Sequence, residues 1–377
     1  MAPAGDHALS DRRQVDLDLH GFVGVRLIEA EPQDVAKVVR QLGPIVATLD
    51  REPDITIRFV EDLEPEGPLT SVGRGVAAFN RRGLYLLRGK GGEVAKALLP
   101  LHDAGGRPEI VCERAMPSVP LLLAMVNFSA LANGVLPLHA SAFEHEGRGT
   151  VVCGWAKGGK TEVLLSFMAR GARYIGDEWV YLAPGGAMFG VPEPIRLWLW
   201  QLRQMTDAWT RLRPRQRGRL RALDLATSNS GRAAELGGPM ASLLRRASNL
   251  LERQQWVQVP PAELFGAARM APSGRVDDLL LTSIHDSPDS LVDEISGAEV
   301  GRRMRASLRF ERRPFDEVYD QFRFAFPDLS SPVVEAAGER EAALLQELVP
   351  ERAGWLRHPY PVAIPSLYQP VHAWVHR

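Results

Sequence analysis

Residues 154–161 read Gly154-Trp155-Ala156-Lys157-Gly158-Gly159-Lys160-Thr161. They match the pattern G-x-x-x-x-G-K-[ST], in which backbone amides and a lysine surround the phosphates of a nucleotide. The chain has only five lysines among its 45 basic residues, and two of the five lie in this stretch. Because arginine is the usual cation here, a lysine indicates a need for a compact ammonium on a flexible stem. The stretch predicts binding of a nucleoside triphosphate; a plain glycine turn before a helix is the alternative.

The flanking segments have the pattern that such a loop requires. Residues 150–153 form a short run rich in β-branched residues, and residues 160–170 are rich in helix formers, with Gly171 just after them as a helix stop. Strand, loop and helix together predict an α/β fold with a nucleotide-binding core.

Each polar group of the loop has an expected role. The amides of 157–161 are expected to hold phosphate, because groups at a helix N-terminus lack helical partners. Lys160 is expected to contact the β- and γ-phosphates, and Thr161 to bind magnesium. For Lys157, a second phosphate contact and simple exposure to solvent both stay open. The predicted nucleotide contacts in the loop are Gly154, Lys157, Gly158, Gly159, Lys160 and Thr161.

Further candidate residues lie on or beside predicted strands. Asp177 and Glu178 follow a short strand at 174–175, and adjacent side chains of an extended chain point in opposite directions. A carboxylate there suits a magnesium ligand or a base that takes a proton from an attacking hydroxyl; a charged turn is the alternative. His139, on a predicted strand at 138–143, is either a proton-handling group or a hydrogen-bonded core residue.

Two charged residues follow a hairpin predicted around Pro184-Gly185-Gly186. They are Glu193 and Arg196, which we consider as possible substrate or phosphate contacts. Arg196 would neutralise charge on a transferring phosphoryl group, or it would only pair with Glu193. The sequence leaves both interpretations open.

The segment from Leu138 to Leu182 resembles the HPr kinase/phosphorylase family, whose fold is similar to the nucleotide-binding core of phosphoenolpyruvate carboxykinase. The resemblance is carried by His139 before the loop, by Lys160-Thr161-Glu162 and by the acidic pair Asp177-Glu178. It departs from the family at Ala156-Lys157, where Ser-Gly is usual, at Glu178, where a second Asp is usual, and in lacking the Glu-x-Arg-Gly signature. The chain therefore resembles a divergent member, similar to HPr-kinase-like proteins associated with peptide or natural-product modification.

This resemblance implies roles for individual residues. Asp177 would be the general base toward a serine hydroxyl, with His139 supporting the site near the phosphoryl group. Thr161 and Glu178 would be the magnesium ligands, and Glu162 would join the nucleotide contacts. The implied catalytic set is Asp177, His139 and Lys160, and the implied cofactors are ATP and Mg²⁺.

Composition indicates an ordinary globular protein without a general attraction to nucleic acid or membrane. The 377 residues are 45% hydrophobic and 24% charged, with a net charge of -1. The two cysteines, Cys112 and Cys153, lack the spacing of a disulfide framework or a cysteine zinc site, so a reducing, cytoplasmic location is predicted. The longest apolar run, 119–131, is too short to cross a bilayer, and residues 1–13 have no signal-peptide core.

The predicted layout has three parts. An N-terminal α+β domain covers 1–134, the HPr-kinase-like P-loop domain covers 135–330, and a C-terminal helix with an extended tail covers 331–377. The central domain carries a helical basic insertion at about 201–265. Further predicted elements are a strand at 55–59, a hairpin of 76–79 with 84–87, a strand at 276–284, a helix from a capping box at Ser296 and Glu299 to about Leu308, a helix at 332–348 and an extended strap at 359–370.

The leading hypothesis is an ATP- and Mg-dependent phosphotransferase that acts on a hydroxyl, with serine of a peptide or protein as the preferred acceptor. The alternatives are a nucleotide-binding regulatory or scaffold protein without phosphotransfer, and a small-molecule or sugar kinase. No membrane partner is expected. Nucleic acid is not expected either, because the arginine-rich stretch 211–221 lacks motif support and has only Trp209 as a nearby aromatic residue. The family resemblance also implies a homo-oligomer.

Overall fold

The chain folds into a mixed α/β structure built on two large sheets of mixed strand direction. The computed structural model describes residues 14–73, 77–87, 95–235 and 241–377. The prediction that residues 1–13 carry no signal peptide lies outside these ranges. Among the helices within them, none is both long enough and apolar enough to cross a membrane.

The first sheet is built from the N-terminal part of the chain. Its strands are β1 (Val15–Leu19), β2 (Val23–Ile28), β3 (Val46–Ala47), β4 (Ile55–Val60), β5 (Ala77–Asn80), β6 (Gly83–Leu87), β7 (Lys96–Leu99) and β8 (Glu109–Glu113). Their order is β3-β1-β2-β4-β8-β7-β6-β5, with β2, β4 and β8 parallel at the centre. Helices α1 (Pro32–Leu42) and α2 (Leu122–Ala132) contribute buried side chains to the core of this sheet.

Two sequence predictions in this region are confirmed. Ile55, Ile57 and Phe59 are fully buried on β4, because alternate side chains of a strand share one face. Strands β5 and β6 form the predicted antiparallel hairpin. Val76, the first residue of that prediction, lies outside the described part of the chain.

The second sheet has nine strands. They are β9 (Leu136–His145), β10 (Arg148–Gly154), β11 (Arg173–Gly176), β12 (Trp179–Ala183), β13 (Ala187–Gly190), β16 (Ser273–Arg275), β17 (Asp278–Ile284), β18 (Leu291–Ser296) and β19 (Arg352–His358); β14 (Ile195–Trp198) and β15 (Trp256–Val259) form a separate ladder. The order is β16-β13-β12-β9-β10-β17-β19-β18, and β11 pairs with β9. Strand β10 is antiparallel to β9 and parallel to β17.

The second sheet is covered on both faces. Neighbouring residues of β10 point into different hydrophobic cores. Val152 packs in the core that contains helix α3 (Lys160–Met168) and helix α12 (Tyr368–Val375). Val151 packs in the core that contains helix α9 (Gly297–Ala325) and helix α11 (Ala337–Leu348). The loop after β10 therefore lies between two helical layers.

Helix α9 is longer than predicted. It begins at the expected cap, where the Ser296 hydroxyl accepts a hydrogen bond from the amide of Glu299 over 3.3 Å. The Glu299 carboxylate pairs with Arg303 rather than with the cap backbone. The helix continues past Leu308 through Pro314 to Ala325, because buried residues at helical spacing dock its second half on the first sheet.

Ser296→Ala is expected to lower the free energy of unfolding by about 1 kcal/mol, since it removes the cap of α9. Ser296→Asp is the matched control, because an aspartate also accepts from first-turn amides and is expected to remain within a few tenths of a kcal/mol of the parent, an order-of-magnitude figure. Urea denaturation followed by circular dichroism measures both. Equal destabilisation by the two substitutions would contradict the capping role.

The basic insertion is largely helical, as predicted. Its helices are α4 (Leu199–Leu202), α5 (Thr206–Arg211), α6 (Pro214–Glu235), α7 (Ala241–Glu252) and α8 (Pro261–Phe265). Arg213, Arg215 and Arg221 are exposed, which matches a solvated surface. The turn predicted at 237–239 lies outside the described residues.

For the C-terminal segment, the predicted helix is confirmed and the predicted extended strap is wrong. Helix α10 (Pro332–Glu335) and α11 cover the helix predicted at 332–348. The extended strap predicted at 359–370 is wrong, because a 3-10 helix at Ile364–Leu367 leads into α12. Pro365 and Pro370 lie in the first turns of these helices, where a missing N–H costs no hydrogen bond. The domain limits at residues 134 and 330 stay predictions.

Candidate functional site

Strand β10 ends in the glycine loop, and α3 begins directly after it. Gly154 and Gly159 have positive φ angles of 150° and 99°. A Cβ on Gly154 would lie 2.7 Å from the Thr282 carbonyl oxygen, and one on Gly159 would lie 2.1 Å from Nε2 of His358. Only glycine fits at both positions. The predicted succession of strand, loop and helix is confirmed.

Neighbouring elements hold the loop by hydrogen bonds to its ends. The Ser307 hydroxyl on α9 donates to the Gly154 carbonyl over 3.2 Å, and the Ser141 hydroxyl on β9 donates to the Lys160 carbonyl over 2.9 Å. No side chain of the described residues caps the start of α3. The amides of its first turn are therefore free to bind an anion.

Lys160 is the first residue of α3 and is buried where the loop ends. The residue is 6% exposed, and its Nζ donates to the Trp155 carbonyl over 3.0 Å. Burial lowers the pKa of the ammonium, and the carboxylate of Glu178 is the strongest opposing influence. Since its hydrogen-bond partner in the described chain is a carbonyl, a phosphate can take over the ammonium without breaking an ion pair.

Asp177 is also buried, at 3% exposed. The Thr161 hydroxyl lies 3.1 Å from each of its carboxylate oxygens. Burial, followed by the negative charge of Glu178, raises the pKa of Asp177 to about 7, against the opposing effects of Thr161 and Lys160. A carboxylate with a pKa near neutrality suits general base catalysis.

Glu178 faces away from Thr161. It lies in a bend between β11 and β12 with a left-handed φ of 69°, so the turn, and not the alternation of an extended strand, sets the direction of its side chain. Its Oε2 accepts a hydrogen bond from Nε2 of His139 over 2.9 Å, and Nδ1 of His139 donates to Oε1 of Glu311 on α9 over 2.6 Å. Burial alone would lower the pKa of His139, but the two carboxylates outweigh it and raise that pKa. The His139 hydrogen bond in turn lowers the pKa of Glu178. His139 thus links two carboxylates by hydrogen bonds, and both its proton-handling role and its role as a hydrogen-bonded core residue stay open.

The other residues predicted to bind nucleotide or metal do not all lie together. Thr161 and Glu178, the predicted metal ligands, do not contact each other; Thr161 contacts Asp177 instead. The Glu162 carboxylate accepts from Nε2 of Gln201 over 2.7 Å, which ties α3 to the basic insertion. The side chain of Lys157 is exposed.

Glu193 and Arg196 do not form the ion pair that was one of the two interpretations of the sequence. Arg196 is exposed, and its guanidinium carbon lies 4.7 Å from the ring centroid of Trp256. Oε1 of Glu193 is buried and has no hydrogen-bond partner among the described residues. Burial raises the pKa of Glu193 well above its ordinary value, and the charges of Glu178 and Asp177 raise it further.

Glu193→Gln is expected to stabilise the protein at about pH 8 and to change little at about pH 4. The carboxyl group of the unfolded chain titrates near 4.5, whereas its folded-state pKa lies well above this value. The folded state therefore binds the proton more tightly, and the free energy of unfolding falls as the pH rises from 4.5 toward the folded-state pKa. Urea denaturation across this range measures the effect. Glu317→Gln, at an exposed glutamate, is the control, and an equal gain in both variants would contradict the prediction.

His358 belongs to the site, and sequence reasoning missed it. It ends β19, is 1% exposed, and its Nε2 lies 3.0 Å from the Gly158 carbonyl oxygen. Its Nδ1 lies 2.9 Å from the Pro359 carbonyl oxygen. The alternating burial along β19 is a strand signal, but no local pattern indicates that this strand ends at the glycine loop.

A mostly apolar cavity of about 320 Å³ opens beside the His139 link. Trp179 and Glu311 line it together with residues of α2, and the Trp179 ring stacks on His139 with centroids 5.9 Å apart. At the loop itself, the half-exposed Trp155 ring contacts Phe310, with centroids 4.7 Å apart. Neither feature was predicted from the sequence.

Comparisons with models of known protein families and with curated proteins give no match to this chain.

Proposed function

We propose that this chain is an ATP- and Mg²⁺-dependent phosphotransferase of the HPr-kinase-like kind that acts on a hydroxyl group. The observation that carries the proposal is the buried Asp177, whose pKa is raised to about 7 and whose carboxylate contacts Thr161 of the glycine loop. A carboxylate whose pKa lies near the working pH can accept the proton of an acceptor hydroxyl and release it again, which is what a general base must do.

The residues present fit a nucleotide with its metal ion. The glycine cradle leaves no room for a Cβ at Gly154 or Gly159, and the first amides of α3 are uncapped. Lys160 would contact the β- and γ-phosphates, and the Thr161 hydroxyl would be a ligand of Mg²⁺. ATP would supply the phosphoryl group, and Mg²⁺ would neutralise part of the phosphate charge.

The chain's own groups would divide the work around the acceptor. Asp177 would take the proton from the acceptor hydroxyl as its oxygen forms a bond to phosphorus and ADP leaves. Lys160 would stabilise the negative charge that develops on the phosphoryl oxygens. His139, held between Glu178 and Glu311, would position these two carboxylates beside the phosphoryl group.

The surroundings of the site support one acceptor class over another. The apolar cavity beside His139 can take the side chain of a peptide or the body of a small molecule, and it favours an acceptor that is not a bare sugar. We retain serine of a peptide or protein as the first proposal, and a small-molecule kinase as the second. A cytoplasmic location and a homo-oligomer are part of the proposal by resemblance alone.

Incubation with γ-labelled ATP and Mg²⁺ tests the function. Serine, threonine and tyrosine peptide libraries, and a set of sugars and hydroxylated natural products, are compared as acceptors. The proposal expects acceptor-dependent transfer of label to a hydroxyl. Nucleotide binding without transfer to any acceptor class would instead support the regulatory or scaffold function.

A further inference from the structure

A second cluster of polar residues lies at the turn between β9 and β10, outside the glycine-loop site. His145 ends β9, and Glu146 begins the turn. His372 on α12 and His376 at its C-terminal cap are four residues apart, so they share one helix face. The C-terminal helix and the turn thus bring three imidazoles to one carboxylate.

The distances within this cluster are short. Nε2 of His372 and Nε2 of His376 lie 3.1 Å and 3.2 Å from Oε2 of Glu146, and Nε2 of His145 lies 3.7 Å from Oε1. The ligand-type atoms of His145, Glu146 and His372 all lie within 4.8 Å of one another. With zinc bonds of about 2.0–2.1 Å, ligand atoms at the corners of a tetrahedron are about 3.3–3.4 Å apart. The two separations from Oε2 of Glu146 are slightly shorter than that value, and the separation of His145 from Oε1 is slightly longer.

We propose that His145, Glu146 and His372 hold a zinc-class divalent ion, with His376, whose Nε2 lies 3.2 Å from Oε2 of Glu146, as the fourth ligand. Imidazole nitrogens suit zinc and its neighbours among the transition metals, whereas Ca²⁺ and Mg²⁺ prefer sites made of oxygen. Four protein ligands without an open position are typical of a structural site. The proposal does not depend on the function proposed for the glycine loop.

A metal ion at this site would link the C-terminal helix to the sheet that carries the glycine loop. Helix α12 already packs on α3: the rings of Tyr368 and Phe167 lie 4.9 Å apart, and the guanidinium carbon of Arg170 lies 4.1 Å from the centroid of the Tyr368 ring. A metal ion shared by the turn and α12 would stabilise this contact, because it binds the folded chain and not the unfolded one.

One group competes with the metal. The hydroxyl of Tyr368 lies 3.1 Å from Nε2 of His145, the nitrogen that would bind the ion. The hydrogen bond between them must be given up on metal binding. Tyr368→Phe is therefore expected to bind the metal at least as tightly as the parent.

Zinc titration of the full chain, purified without a histidine tag and treated with a chelator, tests the proposal. One ion per chain is expected, with a dissociation constant below about 1 µM, together with a rise in melting temperature. The double variant His372→Ala/His376→Ala is expected to bind at least about a hundredfold more weakly and to lose the rise. His285→Ala, at a histidine outside the cluster, is the control and should bind as the parent does.

Two further measurements make the result unambiguous. Co²⁺ in place of zinc should give the intense visible absorption of a tetrahedral ion in the parent and not in the double variant. Circular dichroism of the chelator-treated double variant checks that it is folded. Absence of binding, or equal binding by the parent and a folded double variant, would overturn the proposal. Lys160→Ala should leave zinc binding unchanged, so failure of the glycine-loop function is distinguished from failure of this site.

Discussion

Asp177→Asn is expected to lower the rate of phosphoryl transfer by about 10²- to 10⁴-fold, the contribution that a positioned general base makes. Nucleotide affinity is expected to change by no more than a few-fold, because the amide keeps the size of the carboxylate and can still accept from Thr161. In the parent, the rate should rise through the pKa of about 7 and level off above it, since only the deprotonated carboxylate accepts a proton. In the variant, this step should disappear.

Comparing the transfer rate with the nucleotide affinity of Asp177→Asn also distinguishes the two roles open to Asp177. If the carboxylate mainly holds Mg²⁺ together with Thr161, the substitution should weaken Mg²⁺-dependent nucleotide binding as strongly as it lowers transfer. Asp316→Asn is the matched control, because Asp316 is another carboxyl group whose pKa burial raises, here on α9. Transfer and a pH profile that are unchanged in Asp177→Asn would remove Asp177 from the catalytic residues.

Lys160→Ala is expected to weaken binding of ATP with Mg²⁺ by about a hundredfold, or about 3 kcal/mol, and to abolish transfer. The reason is the loss of a buried ammonium whose hydrogen-bond partner in the described chain is the Trp155 carbonyl. Lys160→Arg should not restore function, because the flat guanidinium is bulkier than the ammonium at this 6% exposed position. Calorimetric titration with a non-hydrolysable ATP analogue measures the affinity.

The loop offers its own control for this experiment. Lys157 carries the same charge three residues earlier but is exposed, so Lys157→Ala is expected to change affinity by less than about tenfold. Thermal unfolding checks that both variants remain folded. A larger loss from Lys157→Ala than from Lys160→Ala would contradict the assignment of the phosphate-binding lysine.

The features that sequence analysis predicted correctly are local ones. The strand, glycine loop and helix around Lys160 follow from residue types within about twenty positions, because backbone preference and helix-start chemistry act over that range. The different directions of Asp177 and Glu178 were predicted from strand geometry, but the pair lies in a bend and Glu178 has a φ of 69°, so the turn sets these directions. The strap predicted near Pro365 failed because proline is equally at home in the first turn of a helix.

Only some residues of the candidate site could be predicted from the sequence. Nothing near Thr161 indicates that its hydroxyl meets Asp177 and not Glu178, since this depends on how β11 pairs with β9. Glu311 was missed because the helix was expected to end near Leu308, three residues before it. If the predicted helix had been extended through Pro314, it would have included Glu311.

By itself the sequence determined the strand, glycine loop and helix, the lysine where the loop ends and the acidic pair that follows, because each depends on neighbours along the chain. The tertiary structure alone decided that His358 reaches the loop, that Glu311 holds His139, and that His145 meets the histidines of α12. These contacts join residues separated by about 170 to 230 positions, and they arise from sheet order and helix packing, which no local pattern records.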